Sequence, residues 1–144
     1  MWAGGDYMPS SGTIEGGQLS YTIGLPNTFY TTAGFSIYGN IRANPIETQT
    51  GKIEGIMVTP SNRGIVLGSD NTTVSYWYVD RDATMSGVGS SQMEDGTMWT
   101  MAPYTMNFKK GWNALTMIYT RVSATTVTIT CVLGADPNAV WTFR

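Results

Sequence analysis

Apolar residues recur at every second position along much of this chain. In the segment 18–25, four of them alternate with polar or small residues: Leu19, Tyr21, Ile23 and Leu25. Successive side chains of a strand point to opposite faces, so this spacing predicts a half-buried β-strand. The same spacing predicts strands over 35–42 and 126–133, and no stretch keeps helical spacing for more than two turns.

Less regular alternation predicts further strands, separated by turns rich in Pro, Asn, Asp and Gly. These strands are 51–58, 64–68, 72–80, 97–101, 104–108, 112–121 and 139–143. Longer loops are expected over 1–12, 43–50 and 86–96, the last because it is rich in Gly and Ser. Such a series of short strands predicts one all-β domain over 1–144. We expect an antiparallel β-sandwich, jelly-roll or immunoglobulin-like, with a small β-barrel as the alternative.

The strand 126–133 fixes a testable register. Val127, Ile129 and Cys131 fall on one face and threonines on the other. Cys131 is the only cysteine, so no intramolecular disulfide can form, and its place on the apolar face predicts a thiol in the core.

Composition excludes several classes of function. Only 12% of the residues are charged, the net charge is −2 and no run of one sign occurs, so nothing attracts a nucleic acid. The chain has no histidine, which removes the commonest metal ligand and the commonest general base. No Ser-x-x-Lys spacing and no apolar run of membrane-spanning length occur. We therefore expect a non-enzymatic protein without cofactor, transition metal or membrane-spanning segment.

Two carboxylates could still carry chemistry. Asp80 and Asp82 flank Arg81 at the end of a predicted strand. An Asp-x-Asp can give oxygen ligands to calcium, and paired acids suffice for a glycosidase. The favoured interpretation is that these acids pair with Arg81 or cap a turn.

Aromatic residues are the candidate ligand-binding groups. If Tyr76 and Tyr78 face inward, Trp77 faces outward and, with Trp99 or Tyr38 nearby, could stack on a sugar ring or a peptide. The alternative, which we favour, is a sandwich covered on both faces that buries all three consecutive rings. The candidate ligand-binding residues are Trp77, Trp99 and Tyr38.

Three motifs resemble β-rich lipoproteins of the Bacteroidota cell envelope. They are Tyr76-Trp77-Tyr78-Val79-Asp80-Arg81-Asp82-Ala83-Thr84-Met85-Ser86-Gly87, Phe108-Lys109-Lys110-Gly111-Trp112-Asn113 and Val140-Trp141-Thr142-Phe143. The resemblance covers the second half of the chain and implies an extracytoplasmic protein of the periplasm or cell surface, with no catalytic residue to carry over. Those lipoproteins carry a lipidated amino-terminal cysteine, and this sequence does not. The residues alone also predict a hairpin, in which 104–108 turns at Gly111 into a strand that begins at Trp112.

Two functions lead. The first is a non-enzymatic β-sandwich module of the cell envelope or surface that is structural or binds a partner, either a glycan or another envelope protein. The second is a β domain that binds a carbohydrate or small ligand with exposed Trp and Tyr. A hydrolase built on two carboxylates and a small outer-membrane barrel are the remaining alternatives.

Overall fold

The computed structural model describes residues 12–16, 18–21, 30–31, 40–53, 56–58 and 63–143. Their regular structure is all β-strand, which confirms the predicted fold class. The strands are β1 (Gly12–Glu15), β2 (Gln18–Tyr21), β3 (Tyr30–Thr31), β4 (Asn40–Asn44), β5 (Gln49–Ile53), β6 (Ile56–Val58), β7 (Arg63–Ser69), β8 (Thr72–Val79), β9 (Ala83–Gln92), β10 (Met98–Phe108), β11 (Gly111–Ser123), β12 (Thr126–Leu133) and β13 (Val140–Phe143). A helix able to span a membrane does not occur in these ranges.

Of the described strands, eleven share one sheet, while β1 and β2 pair only with each other. The main path of the large sheet runs β13-β7-β8-β11-β12-β10-β9-β4. Its described pairings are antiparallel except that of β10 with β12, which is parallel. The sheet is open and strongly curled, like half of a barrel. The two packed layers of the predicted sandwich are therefore not seen among the described residues.

The core lies on the concave face of the curled sheet. Trp77 on β8 is 7% exposed and stacks on Phe108 of β10, with 6.0 Å between ring centroids. In the sheet these two strands are separated by β11 and β12. Their side chains meet because the sheet curls, and Val79, Met85 and Leu115 complete the contact. Among the described residues, the core is thus supplied by strands of a single sheet.

Strand β12 has the bounds that the sequence predicts, 126–133. Val127 and Ile129 are buried, and Cys131 is half-buried against the core on the same face. Thr130, between them, is exposed. The predicted register is confirmed.

The predicted loop over 86–96 is wrong. Most of it belongs to β9, which pairs with β10 on one side and β4 on the other. Gly87 lies opposite Tyr104, and a Cβ atom there would stand 2.6 Å from the Tyr104 hydroxyl. The glycine leaves room for the Tyr104 ring to lie over the strand. Of the predicted loop, only residues 93–96 form part of a turn, which extends to 97 between β9 and β10.

The other predicted loops and the early strands are covered in part. Strands β4 and β5 take the ends of the predicted loop 43–50 and leave 45–48 as a turn. Of the predicted loop 1–12, residues 1–11 lie outside the described residues. The predicted strand 18–25 is described only as β2, and 35–42 only from residue 40 onward in β4.

Two predicted strands, 97–101 and 104–108, form the single strand β10. The register against β9 shifts between Met101 and Tyr104, and Pro103 in this interval has no backbone N–H to donate. The bulge keeps the strand continuous while it bends around the core.

The predicted hairpin of β10 with β11 is not formed as a pair. The turn at Lys109–Lys110 joins the strands, but β12 lies between them in the sheet. The Asn113 side chain replaces the missing ladder bonds: its Oδ1 accepts from the Lys109 N–H at 3.0 Å and its Nδ2 donates to the Lys109 carbonyl at 2.7 Å. Gly111 supplies the positive φ of 104° that the turn requires.

Candidate functional site

Trp77 is buried, as the favoured interpretation expects, and the alternative in which it faces outward is wrong. Its side chain lies in the core, where the indole N–H donates to Ser75 Oγ at 3.0 Å. Ser75, Trp77 and Val79 share the concave face, while Tyr76 and Tyr78 are half-buried on the convex one. The hydroxyl of Ser75 provides the partner that a buried indole needs, so a polar residue belongs to the core face.

Trp99 lies at the start of β10 and faces the concave side. Its ring meets that of Tyr119 edge to face, with centroids 5.6 Å apart and an interplanar angle of 64°. The two rings come from strands on either side of β12. Tyr38, the third nominated aromatic residue, lies outside the described residues.

A surface concavity of about 260 Å³ adjoins this aromatic pair. We call it the Trp99 groove; its lining residues are Asp70, Asn71, Thr72, Thr73, Trp99 and Tyr119. The groove forms where the β7–β8 turn ends and β11 continues past it. Of these lining residues, the sequence analysis proposed only Trp99 as a ligand-binding residue.

Backbone bonds hold the β7–β8 turn against β11. The Tyr119 N–H donates to the Asn71 carbonyl at 2.8 Å. Within the turn, the Ser69 N–H donates to the Thr72 hydroxyl oxygen at 3.0 Å. A Cβ atom at Gly68 would collide with the Thr72 carbonyl, so glycine permits the close approach of the two strands. The side chains of Asp70 and Asn71 remain exposed at the rim.

The groove combines an aromatic wall with polar rim groups. Asp70 can accept hydrogen bonds, and Asn71 can both donate and accept. A sugar ring presents an apolar C–H face and a hydroxyl edge, which match the rings and the rim respectively.

Asp80 has cationic and backbone partners. Its Oδ2 accepts from Arg81 Nη2 at 2.8 Å, and its Oδ1 accepts from the Gln49 N–H at 2.9 Å. The hydrogen bond from Arg81 is the main reason that the pKa of Asp80 is lowered. Arg81 also contacts Glu47 at 3.0 Å. These contacts support the turn-capping interpretation.

Asp82 is engaged with the next turn instead. Lys109 Nζ donates to its Oδ2 and the Lys110 N–H to its Oδ1, both at 2.8 Å. The Lys109 hydrogen bond is the main cause of its lowered pKa. Asp80 and Asp82 thus turn to different partners, and no group of three potential metal ligands gathers within the described ranges.

Two half-buried groups have raised pKa values. Burial raises the pKa of the Cys131 thiol to about 11 and that of the Tyr104 hydroxyl to about 12. Both groups therefore stay protonated in neutral solution. A protonated thiol is a poor nucleophile, which argues against a catalytic role for Cys131.

Comparisons with protein-family models, curated proteins and solved structures found no match to this chain. The described residues define an all-β protein whose sheet carries a small concavity of mixed aromatic and polar lining. The lipoprotein resemblance stays a prediction.

Proposed function

We propose that this protein is a non-enzymatic β-sheet module of the cell envelope or cell surface that binds a carbohydrate in the Trp99 groove. One observation carries the proposal: the rings of Trp99 and Tyr119 stand beside Asp70 and Asn71 in the same concavity. Aromatic rings and amide or carboxylate groups together recognise the two faces of a sugar.

The size of the groove limits the ligand. Its volume of about 260 Å³ lies just below the range of roughly 300–1,000 Å³ of sites for drug-sized molecules. It suits one pyranose ring, either a monosaccharide or the end of a glycan, better than a long internal stretch of chain.

The charge at the rim disfavours anionic sugars. Among the described residues, Asp70 is the only carboxylate that lines the groove. A sugar carboxylate at about 5 Å would be repelled by roughly 0.8 kcal/mol in water, which is about a fourfold loss of affinity. A methyl glucuronide should therefore bind about fourfold more weakly than the methyl glucoside. The Asp70→Asn variant should bind the two sugars with equal affinity.

The non-enzymatic part of the proposal is supported by the chemistry of the chain. No histidine is present in the sequence, and Asp80 and Asp82 are occupied by cationic partners. The envelope location is supported by the lipoprotein resemblance and by the low share of charged residues in the sequence, 12%.

The test is a titration followed by NMR with three neutral probes: the methyl β-glycosides of glucose, galactose and N-acetylglucosamine. We expect at least one probe to shift the Trp99 indole resonance and to lose about tenfold in affinity, or about 1.4 kcal/mol, in Trp99→Ala. A wider glycan panel would then define the preferred sugar.

Trp112 provides the matched control. It packs edge to face on Tyr78 at 5.5 Å, almost the geometry of the Trp99 pair, but on the convex face. Trp112→Ala should leave affinity unchanged. The proposal fails if no probe binds, or if both tryptophan variants lose affinity equally.

A further inference from the structure

Asp136 links a distant loop to the wall of the Trp99 groove. It lies between β12 and β13 and reaches the β7–β8 turn, more than sixty residues earlier in the chain. Its Oδ2 accepts from the Thr72 hydroxyl at 2.9 Å and from the Ser69 hydroxyl at 3.2 Å. Its Oδ1 accepts from the Asn138 N–H at 2.9 Å. One carboxylate thus bridges two turns.

The two hydroxyl residues flank the rim of the groove. Ser69 and Thr72 stand immediately before and after Asp70 and Asn71 in the chain. Because the rim side chains are exposed, the bonds at their flanks fix their place. On the β11 side, the Tyr119 N–H donates to the Asn71 carbonyl. On the other side, the Thr72 hydroxyl donates to the Asp136 carboxylate.

We propose that Asp136 is a positioning residue of the Trp99 groove, which holds Asp70 and Asn71 at a fixed distance from Trp99. This inference rests on the proposed function. A carboxylate suits the position because both hydroxyls can donate to it, and bonds to an ionised acceptor are stronger than neutral ones. Loss of the carboxylate should loosen the turn and widen the groove.

The first readout needs no ligand. The Tyr119 amide is protected by its bond to the Asn71 carbonyl, so its hydrogen exchange reports the place of the turn. We expect Asp136→Ala to accelerate this exchange about tenfold, and Asp136→Asn, which keeps one acceptor oxygen, to accelerate it less. The second readout is affinity for the same three methyl glycosides, which should fall in the same order.

Asp82→Ala is the matched control. Asp82 also bridges two turns through its carboxylate, but at the other end of β8, roughly 25 Å from Thr72 for a strand of eight residues. This variant should lose stability without changing Tyr119 exchange or sugar affinity. Unfolding midpoints of all variants show whether each remains folded under the conditions of the assay.

The outcomes separate the two proposals. Unchanged Tyr119 exchange in folded Asp136→Ala overturns the positioning role, whatever the sugars do. Equal acceleration in Asp82→Ala also overturns it, since the effect would then be general loosening. Faster exchange in Asp136→Ala alone supports it, and if no sugar binds the wild-type protein, only the proposed function fails.

Discussion

The thiol of Cys131 offers a quantitative test of the core and of the strand register. In the native protein we expect it to react slowly with a water-soluble disulfide reagent. The matched variant moves the thiol by one position, as Cys131→Ala combined with Thr130→Cys. Because neighbouring side chains on a strand point to opposite faces, the moved thiol becomes exposed.

The expected difference follows from the pKa. Burial raises the pKa of Cys131 from 9.0 to about 11. Only the thiolate reacts, so two pKa units lower the reactive fraction about 100-fold below pH 9. The limited access of a half-buried sulfur slows the reaction further. A more basic thiolate is also more nucleophilic, which offsets part of this factor. The native wild-type protein should therefore label at least about tenfold more slowly than the Thr130→Cys variant.

The assay follows the release of the coloured thiol from the reagent at pH 8. In concentrated urea both proteins should label equally fast, because both thiols are then exposed. Native labelling of Cys131 at the rate of the Thr130→Cys variant would refute the reasoning, since the thiol would have to lie on the open face of the strand.

Other predictions test packing, charge and metal dependence. Gly87→Ala places a Cβ atom 2.6 Å from the Tyr104 hydroxyl, so urea unfolding should show a loss of about 1–3 kcal/mol; an equal loss in a Tyr104→Ala background would contradict this origin. The Lys109 hydrogen bond lowers the pKa of Asp82 below 3.8, so its stabilising contribution is present above that pH and is lost as pH falls through the lowered value. Thermal melts should therefore show Asp82→Asn less stable than wild type at pH 7, with a difference that shrinks as the pH falls through the lowered pKa of Asp82. Removal of metal ions by a chelator should leave the melting temperature unchanged, because Arg81 already pairs with Asp80 and Lys109 with Asp82. A fall of more than about 4 °C, roughly 1 kcal/mol, would indicate a bound metal ion.

The sequence predicts best where one face of a strand is apolar and the other is not. Strand β12 shows this, because Val127 and Ile129 meet the core while Thr130 meets water. Period-two alternation is a local property, so the residues alone locate such a strand and its faces.

The sequence misleads where the core face carries small or polar residues. Gly87 breaks the apolar alternation of β9, yet it is required beneath the Tyr104 ring. Ser75 likewise interrupts the apolar pattern on the core face of β8. It is buried there because its hydroxyl accepts a hydrogen bond from the indole N–H of Trp77. Each of these two residues is explained only by its contact partner. The partner of Gly87, Tyr104, comes from another strand.

Only one residue of the Trp99 groove could be predicted from the sequence, because the others are brought to it by strand pairing. Trp99 stands out as an aromatic residue, whereas Tyr119 and Asn71 carry no local signal of their own. Their approach depends on the pairing of β11 with β8, which brings the Tyr119 amide to the Asn71 carbonyl. A site assembled by strand pairing is invisible until the pairing is known.

Two splayed strand pairs account for both the curl and the place of the groove. Strands β7 and β8 pair only beside their turn, over Leu67–Ser69 and Thr72–Val74; farther along, β6 pairs with β7 and β5 with β8. Strands β10 and β11 are likewise joined by a short turn and separated by β12. A strand inserted between two others forces them to diverge, and this divergence adds to the natural twist of the sheet until Trp77 reaches Phe108.

The same arrangement places the groove. Strands β7 and β8 end at the turn that joins them, while β11 continues to Ser123 and β10 lies on the other side of β12. Tyr119 lies on the part of β11 that extends beyond β8, and Trp99 lies close to it on β10. The groove forms between these longer strands and the end of the β7–β8 pair.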